Sequence, residues 1–297
     1  MKKIVLFVLL MTTLCLGAQT VQVVKQCRLL PSWIGQCYRP VLNANGDKML
    51  FSDAMASDLY LYDFASSSVT KVSDEAGSGI GAFFGGDGKV YYVTQERNER
   101  NLIYRTGHSY DISQAQHKVI LEARHGAVHP VVAVAGAGLK GEQGFFSSPA
   151  MNRAAVYTEG SELAIIVNGK EHRYTPVESD AGYLWASLSP DGSRVAVYAA
   201  GKGIVVTDLQ GRVLSELGVY EMPSWLNDDY LVAQNASDDG YQFTSSQIVL
   251  IKVDGSFFKP LTSPTSMTMY PSAAAGRVVY SSIDGYLYMM ELNILEQ

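Results

Sequence analysis

The residues best suited to hold a metal or to carry protons in this 297-residue sequence are its five histidines, His108, His117, His125, His129 and His172. His125 and His129 stand four apart, a spacing that puts two imidazoles on one face of a helix. Pro130 and the apolar stretch 131–134 favour extended chain there, so that shared face is lost. The densest acidic cluster, Ser237-Asp238-Asp239-Gly240, has adjacent carboxylates where an EF-hand loop needs them at alternate positions, and no glutamate closes it. Asp58, Asp63, Asp208, Asp228 and Asp284 fall in turns or at strand ends, where aspartate caps backbone amides. Gly77-Ser78-Gly79-Ile80-Gly81 lacks the strand, lysine and helix of a phosphate-binding loop, and no G-x-S-x-G nucleophile turn exists. These patterns assign no catalytic residue, no cofactor and no metal ligand.

The elements that must position any site are short strands in a repeat. A turn signal followed by a compact hydrophobic run recurs six times, anchored at Gly46, Gly88, Asn152, Gly192, Asp229 and Gly276, in steps of 42, 64, 40, 37 and 47 residues. Four of the five steps match the period of a propeller blade. Asn-Gly and Asp-Gly pairs suit tight hairpins because glycine takes positive φ without strain. Further strand-like runs follow each anchor, as at 59–63, 102–105, 163–167, 204–208, 247–251 and 286–291, and a third set follows these, as at 68–72 and 212–217. A fourth piece precedes most anchors and is often opened by proline, as in Pro40-Val41-Leu42, Pro149-Ala150-Met151, Pro223-Ser224-Trp225 and Pro271-Ser272-Ala273. The expectation is an all-β, six-bladed propeller with four-stranded antiparallel blades; a sandwich or barrel with similar hairpins is the alternative. On this count the blades fall at 40–78, 79–122, 145–180, 183–220, 221–263 and 264–297, with an irregular, glycine-rich insertion at 122–144 and Gly77–Gly81 linking the first two blades. Trp185 and Trp225, with Tyr183 and Tyr270 nearby, belong to inner strands, where they stack on a sugar or peptide or simply pack between blades.

Leu188-Ser189-Pro190-Asp191-Gly192-Ser193-Arg194-Val195-Ala196-Val197 resembles the SPDG-plus-strand signature of TolB-like, WD-type propeller repeats. The segments 203–211 and Phe257-Phe258-Lys259-Pro260-Leu261-Thr262 resemble that family's following strand and its closing basic-x-Leu-Thr strand. The resemblance spans about residues 40–291, although only the fourth repeat carries the first signature in full. It implies the propeller fold and says little about function. Some TolB-like propellers are pectin-fragment lyases with several histidines around a metal, a cluster that does not map residue by residue onto this chain.

The sequence has nothing after the sixth repeat except 292–297, so the outer strand of the last blade must come either from the N-terminal run Val21-Gln22-Val23-Val24 or from 292–295 alone. Residues 1–18 combine Lys2-Lys3, the apolar run 4–11 and Leu16-Gly17-Ala18, the parts of a secretory signal peptide, leaving 19–297 as one domain in which 19–30 closes the ring. No later stretch is long and apolar enough for a membrane span. Loss of that segment removes Lys2 and Lys3 and moves the formal net charge from −6 to −8; an acidic chain without a dense basic run argues against nucleic acid. The mature chain keeps Cys27 and Cys37, expected as a disulfide closing a loop of 28–36, with two buried thiols as the alternative. A loop of that size contributes about 2–3 kcal/mol. The functional expectation is a non-enzymatic, exported binding or scaffold protein, periplasmic or outer-membrane-associated, holding a protein partner in the cell envelope through rim loops or the insertion. The alternative is a metal-assisted polysaccharide lyase working in the central channel, which three or more histidines gathered at one channel mouth would favour.

Overall fold

A computed structural model of the chain describes residues 20–30, 34–133, 136–141, 144–147 and 154–295. Residues 1–18, expected as a signal peptide, the strand expected at Pro149-Ala150-Met151 and the turn expected at Asn152 lie outside them. β-branched and aromatic runs cut by turn residues give strands, and among the described residues there is no α-helix. Blade one is β2 (Cys37–Leu42), β3 (Lys48–Asp53), β4 (Leu59–Asp63) and β5 (Ser68–Ser73); blade two is β6 (Phe83–Phe84), β7 (Val90–Arg97), β8 (Ile103–Asp111) and β9 (Gln116–His125). Blade four comprises β16 (Tyr183–Leu188), β17 (Arg194–Ala199), β18 (Gly203–Asp208) and β19 (Val213–Gly218). Blade five comprises β20 (Glu221–Trp225), β21 (Tyr230–Asp238), β22 (Phe243–Lys252) and β23 (Phe258–Pro260). Each is a four-stranded antiparallel meander, and the six sheets form a six-bladed β-propeller.

Blade six holds the seam of the ring. Its strands run β24 (Thr268–Ala274), β25 (Arg277–Ser282), β26 (Leu287–Leu295) and then β1 (Thr20–Arg28), so the N-terminal strand is the outermost one. β1 pairs antiparallel with β26 from Thr20↔Leu295 to Arg28↔Tyr288, with a bulge between Val23 and Lys25. The closure expected from 21–24 is therefore present, and residues 292–295 serve within the third strand instead. Val21 is 3% exposed and packs with Tyr230 and Val232 of blade five as well as Tyr280 of blade six. Lys259 Nζ on β23 donates to the Val21 carbonyl at 2.5 Å.

Blade three departs from the pattern. β10 (Val128–Ala133) pairs with β13 (Ala154–Glu159), followed by β14 (Glu162–Val167) and β15 (Lys170–Tyr174), while β11 (Gly136–Gly141) and β12 (Gly144–Ser147) extend the sheet from the other edge of β10. The stretch expected as an irregular insertion is thus largely strand. The physical reason is that a long excursion must find partners for its backbone N–H and C=O groups, and an open sheet edge offers them. β11 runs close to β7 and β12 close to β9 of the preceding blade.

The core lies between blades rather than in one central mass. Central strands are buried on both faces, as in Val195-Ala196-Val197 and Tyr230-Leu231-Val232-Ala233, which explains why they read as continuous apolar runs and not as alternating ones. Separate clusters join blades five and six, four and five, six and one, one and two, and three and four.

Candidate functional site

Four of the described histidines lie on third or fourth strands of their blades. His108 lies on β8 and His117 and His125 on β9, the third and fourth strands of blade two, and His172 lies on β15, the outer strand of blade three. His108 stacks on Tyr92 with ring centroids 4.9 Å apart, and its Nε2 is 2.9 Å from Thr94 Oγ1. Burial lowers its pKa, opposed by the nearby Glu75. His117 Nδ1 is 2.9 Å from the Tyr92 hydroxyl. His129 is on β10, its backbone paired with Lys140. Among the described residues no group of three or more His, Cys, Asp or Glu side chains is placed to hold a metal.

The turn carboxylates are occupied by their own turns. Asp63 accepts hydrogen bonds from Ala65 N at 3.0 Å and Ser66 N at 2.9 Å and pairs with Lys48 at 3.0 Å. The Ser66 amide first, then Lys48, hold its carboxyl down at about 2. Asp238 and Asp239 accept from Gly240 N and from Tyr241 N and Gln242 N, each at 2.9 Å, in the tight connection from β21 to β22. Asp58 is pushed up by burial, but hydrogen bonds from Tyr60 and Lys71 outweigh this and hold it below the usual carboxylate range. The Gly77–Gly81 run connects β5 to β6, with Ser78 Oγ donating to the Ser57 carbonyl at 2.8 Å.

The inner strands carry a different arrangement. β2, β16, β20 and β24 each break register with their neighbour, between Tyr38 and Val41, Leu184 and Ser187, Glu221 and Ser224, and Met269 and Ser272. Inside each break stands a non-glycine residue in the left-handed region: Arg39 at φ 54°, Trp185 at 53°, Met222 at 53° and Tyr270 at 55°. Blade two has Gly81, φ 66°, just ahead of its inner strand. A left-handed φ at a residue with a Cβ costs on the order of 1 kcal/mol or more, and a bulge re-aims the side chain it carries. Here four such costs fall at the corresponding place in four blades.

These bulges converge on one cavity of about 410 Å³, lined by Arg39, Trp185, Met222 and Tyr270 together with Gly81 and the prolines 40, 223 and 271. Its volume suits a small ligand or a short stretch of chain. Trp185 is 39% exposed and leans on Tyr198 at 5.2 Å between centroids. The Arg39 guanidinium lies over the Tyr270 ring at 5.5 Å. Glu221, next to Met222, is raised above the usual carboxylate range by burial and then by Asp238. Of the four inner-strand aromatics expected, Trp185 and Tyr270 line the cavity. Trp225, 4% exposed, instead donates its indole N–H to the Ser187 carbonyl at 3.1 Å between blades four and five, and Tyr183, 2% exposed, is held by Val177. Arg39 and Met222 carry no sequence signal of their own except the proline that follows each.

Cys27 and Cys37 are free thiols in the structure, both packed in the cluster between blades six and one. Burial, then the charge of Asp53, pushes the Cys37 thiol up to about 12.

The six-bladed ring defines the fold class, a six-bladed β-propeller. TolB from Acinetobacter baumannii is similar in structure at 14% identity and a TM-score of 0.50, over 86% of this chain and 54% of that one, so this chain spans about half the length of that TolB. An oligogalacturonate lyase from Vibrio parahaemolyticus is similar at 14% identity and a TM-score of 0.56, over 93% and 98% of the two chains. The Cps50 (Swd1) β-propeller domain of Myceliophteria thermophila is similar at 8% identity and a TM-score of 0.57, over 92% and 99%. At such identities the likeness is one of fold. The sequence matches no protein-family model and no curated protein.

Proposed function

We propose that this is a non-enzymatic binding protein of the cell envelope, exported by residues 1–18, that holds a protein partner on the face where the inner strands begin. The observation that carries this reading is the channel mouth itself: four blades accept left-handed backbone at Arg39, Trp185, Met222 and Tyr270, and those side chains line one cavity. Strain repeated at one place in a scaffold is where ligand contacts are expected. Fold likeness to TolB and to WD40 domains supports a binding role. No described helix is long and apolar enough to cross a membrane. In the exported protein Cys27 and Cys37 form a disulfide that ties the exit of β1 to the start of blade one; non-reducing peptide mapping tests it, and full alkylation of both without reduction would reject it.

Photo-crosslinking from position 185 in the native envelope tests the partner reading. A discrete adduct formed from position 185 and not from position 256 on the opposite end supports it. Equal labelling from both positions, or no adduct together with chelator-sensitive cleavage of an oligosaccharide by the purified protein, rejects it and promotes the lyase reading.

A further inference from the structure

We infer that the channel mouth binds the carboxylate of an apolar C-terminal residue of a partner polypeptide, with Arg39 as its anchor; this rests on the partner-binding reading and specifies its chemistry. Arg39 is the one formally charged residue among those lining the cavity. It is exposed, and no carboxylate among the described residues lies within ion-pairing distance of it; its contact is the face of Tyr270. Arg173 on β15 shows what a satisfied arginine in this protein looks like, with Glu159, Glu162 and Glu171 at 2.5, 2.9 and 2.9 Å. A chain with 29 acidic and 23 basic residues has carboxylates in excess, yet none of those described is placed against Arg39. The backbone nonetheless holds this side chain at the mouth through a left-handed φ ahead of Pro40.

A guanidinium offers a planar fork that matches a carboxylate bidentately, and the bond strengthens where water is partly excluded. Around it the wall is largely apolar, with Pro40, Trp185, Met222, Pro223 and Pro271, and the hydroxyl residues Ser187, Ser224 and Ser272 also line it. A C-terminal residue carries its carboxylate and its side chain on the same carbon, so it needs a cation directly beside an apolar wall. An aspartate or glutamate within a chain would instead bring peptide carbonyls on both sides against prolines, which have no N–H to donate, leaving them only the hydroxyls of Ser187, Ser224 and Ser272. The docked segment is therefore a chain end.

The test is calorimetric titration of the full chain with acetyl-Ala-Ala-Phe as the free acid and as its C-terminal amide. The expected result is binding of the acid at least tenfold tighter than the amide. Arg39→Gln should abolish that difference while leaving the melting temperature unchanged, since the side chain is exposed, and Arg39→Lys should restore part of it. Equal binding of acid and amide, no binding of either, or an undiminished difference in Arg39→Gln would overturn the inference. So would equal affinity for acetyl-Ala-Asp-Ala-amide, which points to internal acidic residues, or for 3-phenylpropionate, which points to a small aromatic acid. Site-specific crosslinking at position 185 that persists while the acid–amide difference is missing rejects the anchor and leaves the partner reading standing.

Discussion

The two ends of the ring use the same kinds of backbone feature for opposite purposes. At the hairpin end, Asp191 accepts from Ser189 Oγ, Ser193 N and Ser193 Oγ at 2.6, 3.0 and 2.6 Å, and Asp208 and Asp254 hold Gln210 N and Ser256 N at 2.9 and 2.8 Å. Positive φ there falls on glycines such as Gly46, Gly88, Gly192 and Gly211 and also on Ser67, Ala115, Asn168 and Ala275. At the channel mouth, positive φ falls on Arg39, Trp185, Met222 and Tyr270, and their side chains line a cavity rather than folding back onto their own turns. The aspartates of these turns use their carboxylates to stabilise the fold, whereas the inner-strand bulges present side chains to a cavity. Left-handed backbone alone does not mark the site, since Ser67, Ala115 and Asn168 share it in the third-to-fourth-strand turns of blades one, two and three; what sets the inner-strand bulges apart is that their side chains meet at one cavity.

Both ends depend on the seam, which gives the largest expected effect. Deleting residues 20–28 strips β26 of its partner and exposes the blade five–six cluster that Val21 helps to cover. Cooperative thermal unfolding should be lost and a hydrophobic dye should bind. Val21→Asp, a charge placed at a 3% exposed position, should cost about 3 kcal/mol or more without removing the strand. A deletion variant that melts cooperatively at the wild-type temperature would show that the seam is dispensable.

The hairpin end should respond more modestly. Asp191→Ala removes three hydrogen bonds on an exposed turn and should cost about 1 kcal/mol, roughly 2–4 °C in melting temperature. Peptide binding at the mouth should not change. Acid should act on the same groups. Burial would raise Asp191 and Asp208, but hydrogen bonds from Ser189 and Ser193, and from the Arg212 amide and side chain, hold both below the ordinary value, and Ser256 holds Asp254 down. A depressed folded pKa stabilises above the unfolded value and is lost as pH falls through the folded one. Melting temperature should begin to fall below about pH 6.5, where the unfolded chain protonates His108 and the folded protein does not, and fall further below about pH 4 as these carboxylates are protonated, with Asp63 held at about 2. Melts of the wild type and Asp191→Asn at pH 7, 4 and 3 check this; a variant that loses as much stability in acid as the wild type would exclude Asp191 from the effect.

Much of the hairpin end was legible because its chemistry is local. Asp-Gly pairs announce turns, and the predicted run 59–63 coincides with β4. Even the fifth repeat, which lacks the glycine, is explained by one nearby side chain, since Asn227 Oδ1 accepts from Asp229 N and Tyr230 N at 2.9 Å each. The mouth was legible only in part, because what unites Arg39, Trp185, Met222 and Tyr270 is a backbone angle and a position around a ring, neither of which a residue type encodes. The traces were the inner-strand aromatics Trp185 and Tyr270 and the proline after three of the four. The pairing of β11 with β10 and of β12 with β11 was hidden for another reason: these partners are close in sequence, but β11 reads Gly136-Ala137-Gly138-Leu139-Lys140-Gly141, and glycine is depleted in strands.

The smallest expected effect is also the sharpest test of the contrast, because it predicts a clear loss for one exchange and almost none for the reverse exchange. At Gly88, φ 77°, an added Cβ meets nothing within 4 Å, so Gly88→Ala isolates the backbone cost and should destabilise by about 1 kcal/mol. At Met222, φ 53°, Met222→Gly relieves a similar cost while losing half-buried side-chain contacts and loosening the unfolded chain, which offsets most of the gain. The net change should lie within about 0.5 kcal/mol of zero, far from the loss of about 2 kcal/mol or more expected for truncating a buried methionine to a small residue. Affinity for the free-acid peptide should nevertheless drop, since the wall of the cavity loses a side chain. Chemical denaturation paired with calorimetry reads both quantities on one sample. A loss at Met222→Gly as large as a core truncation would mean that the mouth is ordinary packing, and the division of labour between the two ends would fail.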